Sequence, residues 1–339
     1  MVLTMTDIPT IVVTFAANAR DRATIADAVG ASAALIYLAD LDDAGRSAAL
    51  QGATALLARH TGKDLRPGET TLLGGVKLIQ FVTAGVDYIP LGDLPAHVPV
   101  AANGGAYAES MAEHALAMTL AAVKRLFIEH AALARGEFNQ RGRNRQLAGM
   151  VCGILGLGGI GTATARLMRA VGMKVHAVNR RGVADEPVDW IGKTADLDQM
   201  LAAVDVLIVS VPLSTTTQGM IGARELGLMK PDAVLVNLAR GEVVDEAALF
   251  AHLKANPAFT ACIDAWWIEP VRHGIFRMDH PFMELPNVIG SPHNSASSPN
   301  ATEIGLRRAV GNVRGMLEGG AARFVVGPEE RSFILQPIS

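Results

Sequence analysis

"VCGILGLGGIGTATARLMRAVGMKVHAVNRR", Val151 to Arg181, decides the fold. An apolar run, a glycine loop, an amphipathic stretch and a second apolar run follow one another. Gly156, Gly158 and Gly161 match G-x-G-x-x-G, and Ile160, Ala163, Leu167, Met168 and Val171 supply a helix face behind them. The bare glycine pattern is weak, and an ordinary glycine-rich turn is its bland reading. Its setting carries more. The first glycine permits the tight turn, the second lets backbone approach a pyrophosphate, and the third lets the helix pack on the sheet. The helix start, with Gly159 and Ile160, faces the phosphates with unpaired N–H groups. The stretch predicts a dinucleotide site.

The second apolar run ends about twenty residues past the loop, where a carboxylate commonly accepts hydrogen bonds from a free adenosine ribose. This chain has Asn179, Arg180 and Arg181 there. Guanidinium groups favour a 2′-phosphate, so the expected cofactor is NADP(H), with NAD as the alternative. The competing reading is a solvated pair of arginines at a strand end.

Working outward, 339 residues are enough for two domains, and 50% hydrophobic with 19% charged residues allows substantial cores. A net charge of −3 and the lack of basic blocks interleaved with aromatics argue against a nucleic-acid partner. The opening "MVLTMTDIPT" lacks the basic start and apolar run of a signal peptide, and later apolar stretches are broken before membrane-spanning length. The expectation is a cytoplasmic chain with no membrane contact. Cys152 and Cys262 sit in short apolar runs and read as buried small hydrophobes. No Cys/His cluster has metal-site spacing, so no metal is expected.

Two series of apolar runs alternate with helical patterns. "TIVVTF", "ALIYLA", "TALLA", "KLIQFV" and "VPVAA" fall in the first hundred residues. After an Ala-rich helical stretch from about Tyr107 to Arg135 come "VCGIL", "KVHAV", "DVLIVSV", "AVLVNLA", "ACIDA" and "NVIGS". Leu197, Met200, Leu201 and Val204 share one helix face. Continuous apolar strands with amphipathic helices between them predict an α/β fold of parallel sheets covered on both faces. Ala301 to Leu317 reads as a further helix, followed by a tail.

Three strand ends carry unusual polar groups: Arg240 in "VNLARGEVVDEAAL", Glu269 in "CIDAWWIEP" and His293 in "LPNVIGSPHNSA". Ligands bind open parallel sheets at that edge. Together these groups can bind a carboxylate, tune an imidazole and move a proton. With "GLGGIG", "SVPLSTTTQGMIG", "LVNLARGEVVDEAAL", "DAWWIEP", "LPNVIGSPH" and, earlier, "KLIQFVTAGVDYIP", the chain resembles the D-isomer-specific 2-hydroxyacid dehydrogenases over nearly its whole length. The resemblance lies toward the glyoxylate and hydroxypyruvate reductases.

That resemblance implies two doubly wound parallel-sheet domains. A Rossmann NAD(P)-binding domain, 105–293, would be inserted into a flavodoxin-like substrate domain made of 1–104 and 294–339. It implies a reductase of a small 2-oxo acid, or dehydrogenase of the 2-hydroxy acid, working as a homodimer. Arg240 would grip the substrate carboxylate and carbonyl oxygen, His293 would donate the proton, and Glu269 would orient and charge His293. Thr83, Ala84 and Gly85 would offer backbone N–H groups to the substrate carboxylate. Asp264 would bind the nicotinamide amide, with Pro212, Thr217, Leu238 and Ala239 bordering the cofactor. Trp266, Trp267, Arg59 and His60 have no assigned role, and His114 reads as structural. The alternatives are a formate dehydrogenase relative, which Glu269 opposes, a phosphonate dehydrogenase relative, and a corepressor-like interaction protein of the same fold that senses nicotinamide cofactor.

Overall fold

The computed structural model describes residues 8–335. Residues 1–7, on which the signal-peptide expectation partly rests, and 336–339, which the expected domain range 294–339 includes, lie outside the described residues. Two compact units result, one running to Tyr107 and resuming at Ser298, the other spanning Ala108–Ser297. The expectation drew these boundaries after 104 and after 293.

The first unit holds five strands: β1 (Thr10–Val13), β2 (Ala34–Tyr37), β3 (Ala55–Ala58), β4 (Leu78–Phe81) and β5 (Val100–Ala101). They form one parallel sheet in the order β2-β1-β3-β4-β5, the flavodoxin-like arrangement. Successive side chains point to opposite faces, so each strand feeds two cores. Val12, Leu56, Ile79 and Phe81 pack on one side. Ile11, Val13, Leu57 and Leu78 pack on the other, against Leu306, Ala309, Val310 and Val313 of the helix Ala301–Leu317. Spacing of four and three between Leu306, Val310 and Val313 makes that apolar stripe, and each fully buried side chain contributes about 1.5–3 kcal/mol.

The second unit holds β6 (Val151–Leu155), β7 (Lys174–Val178), β8 (Trp190–Gly192), β9 (Val206–Val209), β10 (Val234–Asn237), β11 (Thr260–Ile263) and β12 (Val288–Gly290). All run parallel in the order β12-β11-β10-β9-β6-β7-β8, a Rossmann sheet with one extra strand. β9 and β10 are buried throughout, which is why they read as unbroken apolar runs. β8 had no strand signal in the sequence, because three edge residues, Trp-Ile-Gly, carry no period.

The helical stretch expected from Tyr107 to Arg135 is two helices, Ala108–Val123 and Leu126–Ala134, broken where Arg125 adopts φ 54°. Neither Gly nor Pro marks that break. Ala108, Ala112 and Ala163, with Leu167, pack the helix Ala108–Val123 on the helix Gly159–Ala170. Small residues let the two backbones come close. No helix among the described residues is long and apolar enough to cross a membrane.

Candidate active site

The carboxyl edge of the second sheet is stitched strand to strand. Gly156 N–H donates to Val178 O, Ser210 N–H to Leu155 O, Leu238 N–H to Val209 O, Asp264 N–H to Asn237 O, and Ser291 N–H to Ile263 O. The glycine loop, the Asn179 turn and the segments with Arg240, Glu269 and His293 therefore line one edge.

Each glycine of the loop has its own constraint. Gly156 takes φ 98°, and a Cβ there would lie 2.8 Å from Val211 Cγ1. At Gly161 a Cβ would come 2.1 Å from Gly156 O, so helix and strand pack too closely for any side chain. At Gly158 a Cβ would meet no atom within 4 Å. Its backbone borders open space where the helix begins, and Thr162 N–H makes an early helical bond, to Gly158 O. The N–H groups of the first turn precede that bond and point outward, which suits a pyrophosphate. Ser210 Oγ–H donates to Gly156 O at 2.8 Å and steadies the loop, a residue the glycine pattern did not reveal.

Asn179 is a turn builder. Its Oδ1 accepts from Arg181 N–H (3.0 Å) and Gly182 N–H (2.7 Å), while Nδ2 donates to Val183 O at 2.8 Å. The side chain thus shapes the turn that displays Arg180 and Arg181, both exposed. Arg181 lies 3.9 Å from Asp185. Pro212 and Thr217 close another turn: Thr217 Oγ1–H donates to Pro212 O and accepts from Ser214 N–H.

At the end of β10, Asn237 is 1% exposed, and its side chain accepts from Ala239 N–H and donates to Arg240 O. This bridge fixes the turn Leu238–Ala239 that presents Arg240, whose Nη1 donates to Ala239 O. A polar residue ending a buried strand was the available sign of it. A Cβ at Gly241 would lie 2.5 Å from the Trp266 and Trp267 backbones, so glycine alone lets the Arg240 turn pack there. Arg272, three residues past Glu269, forks onto Glu242 at 2.9 and 2.6 Å and ties the same two segments.

His293 Nδ1 lies 2.8 Å from both carboxylate oxygens of Glu269. Trp266 N–H also donates to Glu269 Oε1, at 2.6 Å. Burial alone would push this carboxyl up. The hydrogen bond and charge of His293, the Trp266 N–H and the Arg240 charge outweigh it and hold Glu269 below the usual carboxylate range. The carboxylate is thus charged at neutral pH. His293 has φ 49°, rare for a residue with a side chain and a sign of local strain.

Asp264, 0% exposed, accepts Ser291 Oγ–H at 2.5 Å and the N–H groups of Asn294 and Ser295. The indoles of Trp266 and Trp267 donate to Ser291 O and Val244 O, which gives both tryptophans a structural place. Cys152 and Cys262 are buried free thiols, both pushed up by burial.

In the first unit, Thr83, Ala84 and Gly85 form the half-buried turn after β4, with Thr83 Oγ1 buried and without a hydrogen-bond partner among the described residues. Arg59 lies over the Phe15 ring at 4.4 Å, and His60 packs on Tyr88.

Residues 116–295 match the family model described as D-isomer specific 2-hydroxyacid dehydrogenase, NAD binding domain. The chain is 34% identical over 229 residues to the D-3-phosphoglycerate dehydrogenase of Archaeoglobus fulgidus, covering 67% of this chain and 42% of that one. It is 32% identical over 282 residues to the glycerate dehydrogenase of Methylorubrum extorquens, covering 80% and 84%. Against two phosphoglycerate dehydrogenase relatives, the match spans only half of their length or less. A solved structure described as a glycerate dehydrogenase related protein from Thermoplasma acidophilum is 29% identical, with a TM-score of 0.63 and coverage of 91% and 99%.

Proposed function

The chain belongs to the D-isomer specific 2-hydroxyacid dehydrogenase family, and on that premise we propose that it reduces a small 2-oxo acid of the glyoxylate or hydroxypyruvate kind with NADPH. The observation that carries this reading is the buried Glu269 carboxylate bridging His293, on the same strand-end edge as Arg240. Reduction needs a hydride at C2 and a proton on the developing alkoxide. A nicotinamide bound at the glycine-loop edge would supply the hydride. His293 donates the proton, and Glu269, 2.8 Å from its Nδ1 through both oxygens, orients the ring. Arg240 offers a planar fork to the carboxylate and the developing oxyanion. Thr83, Ala84 and Gly85 are proposed as donors to the substrate carboxylate, a role supported by the half-buried turn and by the buried Thr83 hydroxyl, which has no hydrogen-bond partner among the described residues.

Gly156, Gly158, Gly159, Ile160 and Gly161 are assigned to the pyrophosphate, and the Asn179 turn with Arg180 and Arg181 to a 2′-phosphate. Pro212, Thr217, Leu238 and Ala239 border the cofactor in this reading. A homodimer is part of the proposal, and the exposed Leu126, Phe127, Leu133 and Phe138 support it.

Absorbance at the nicotinamide band, followed with NADPH and NADH against glyoxylate, hydroxypyruvate, its phosphate ester and longer 2-oxo acids, tests the reading. Turnover of a small 2-oxo acid is expected. Oxidation of neither cofactor by any of them sinks it.

Gly158→Ala adds a methyl to open space, so its melting temperature stays close to the parent's while NADPH binds about tenfold or more weakly. Fluorescence titration reads this, and unchanged affinity removes the loop from the phosphate site. Glu269→Gln replaces the carboxylate that meets His293 Nδ1 through both oxygens with a neutral amide that holds the ring less firmly, so kcat falls about tenfold or more while KM for the oxo acid stays within about twofold. An unchanged kcat, with chemistry rate-limiting, means that Glu269 does not hold the acid.

A further inference from the structure

His293 has a strained backbone, and strain of this kind persists only where the surroundings over-determine it. What holds it is a network reaching to a different element. Asp264 O accepts His293 N–H at 3.0 Å. The Asp264 carboxylate takes the next two amides, Asn294 N–H on Oδ1 (3.2 Å) and Ser295 N–H on Oδ2 (3.4 Å). Oδ1 also accepts Ser291 Oγ–H at 2.5 Å. Ser291 Oγ is 3.0 Å from His114 Nε2, which itself stands 3.7 Å from Asp264. One turn earlier on the helix Ala108–Val123, Ser110 Oγ–H donates to Ser295 O at 2.8 Å. The segment Ser291–Ser295 is thereby pinned at both ends to one helix and at its middle to one buried carboxylate.

We propose that His114, Ser291 and Asp264 are positioning residues, which hold His293 in its left-handed conformation with the imidazole against Glu269. This rests on the reading of His293 as the proton donor. It gives Asp264 work other than a contact to the nicotinamide amide: the carboxylate is fully buried, and both oxygens already accept protein N–H or O–H groups. Ser291 is the link, because its single hydroxyl meets both His114 and Asp264. Without it, Asp264 loses its shortest hydrogen bond and keeps the longer amide bonds and a His114 contact at 3.7 Å, and the segment is freer to relax toward an unstrained backbone. Proton donation depends steeply on placement, so the loss falls on the chemical step rather than on binding.

The test compares the parent with Ser291→Ala, Ser291→Thr, His114→Phe and Asp264→Asn, using hydrogen exchange of the peptide that spans 291–297, NADPH affinity by fluorescence, and steady-state kinetics. Ser291→Ala is expected to speed exchange of the 293–295 amides and to lower kcat about tenfold, with KM for the oxo acid and NADPH Kd within about twofold. Ser291→Thr keeps a hydroxyl and restores both. His114→Phe moves the same readouts in the same direction. Unchanged exchange and kcat in Ser291→Ala overturn the proposal. So does an Asp264→Asn variant that keeps kcat but binds NADPH about tenfold more weakly, since that marks a cofactor contact. Exchange and affinity need no turnover. A parent that reduces no 2-oxo acid therefore defeats the functional reading, while the exchange result still decides whether these residues hold the His293 segment.

Discussion

Arg240→Lys lowers kcat/KM for the preferred 2-oxo acid by about 100-fold or more, roughly two or more kcal/mol, while NADPH affinity changes little. The turn that presents Arg240 is fixed from behind. Asn237 clasps Ala239 N–H and Arg240 O, and Gly241 seats the turn against the Trp266–Trp267 backbone. These backbone contacts survive the substitution, so lysine starts from the same place with the same charge. What it lacks is the planar fork that meets a carboxylate and a neighbouring oxyanion together. A lysine also brings no Nη1 for the Ala239 carbonyl, which leaves its ammonium free to choose among rotamers. Because the oxyanion forms only as hydride arrives, the deficit appears in kcat as well as in KM. Steady-state kinetics of the folded variant, with NADPH titrated separately, read the result. Near-parental kcat/KM removes Arg240 from the substrate.

Much of the fold was legible because strands buried on both faces have no polar period to confuse. "DVLIVSV" and "AVLVNLA" could hardly be anything but central strands, and β9 and β10 lie inside them. β8 escaped because it is three residues at the edge of the sheet. The break at Arg125 escaped because an arginine, not a glycine, takes the left-handed conformation. In the site, motifs brought forward Glu269 and His293, whose contact spans 24 positions and which no local spacing could pair. The resemblance supplied that pairing. Nothing in sequence connected His114 with Ser291, 177 positions apart on different elements, and His114 read as structural. Asn179 was legible as a residue of the dinucleotide edge, but not as the clasp of its turn, since an Asx side chain chooses among neighbouring amides only once the chain has turned.

That clasp bears on cofactor choice, where the second large effect is expected. The expected result is that the parent prefers NADPH to NADH by about ten- to several-hundred-fold. One charge-assisted contact contributes roughly 1.5–3 kcal/mol, and each ~1.4 kcal/mol is a factor of ten. Arg180 is assigned to the 2′-phosphate because it directly follows the strand-end clasp of Asn179. An unmodified ribose offers hydroxyls that guanidinium, having no acceptor, matches poorly. Asn179→Asp combined with Arg180→Ala reverses the logic. One aspartate oxygen can go on accepting Arg181 and Gly182 N–H, so the turn survives, while the other becomes an acceptor for ribose hydroxyls and a repulsive charge toward phosphate. The lost Nδ2 donation to Val183 O costs the exposed turn about 1 kcal/mol, too little to unfold it. The ratio of kcat/KM with NADPH to that with NADH should therefore fall by at least about tenfold in the double variant, with the oxo-acid KM unmoved. Raising ionic strength should erode the parent's preference and leave the variant's nearly alone, since only the parent's preference rests on an exposed ion pair. Equal use of both cofactors by the parent, or an unaltered ratio in the variant, returns Arg180 and Arg181 to the protein surface as solvated charge.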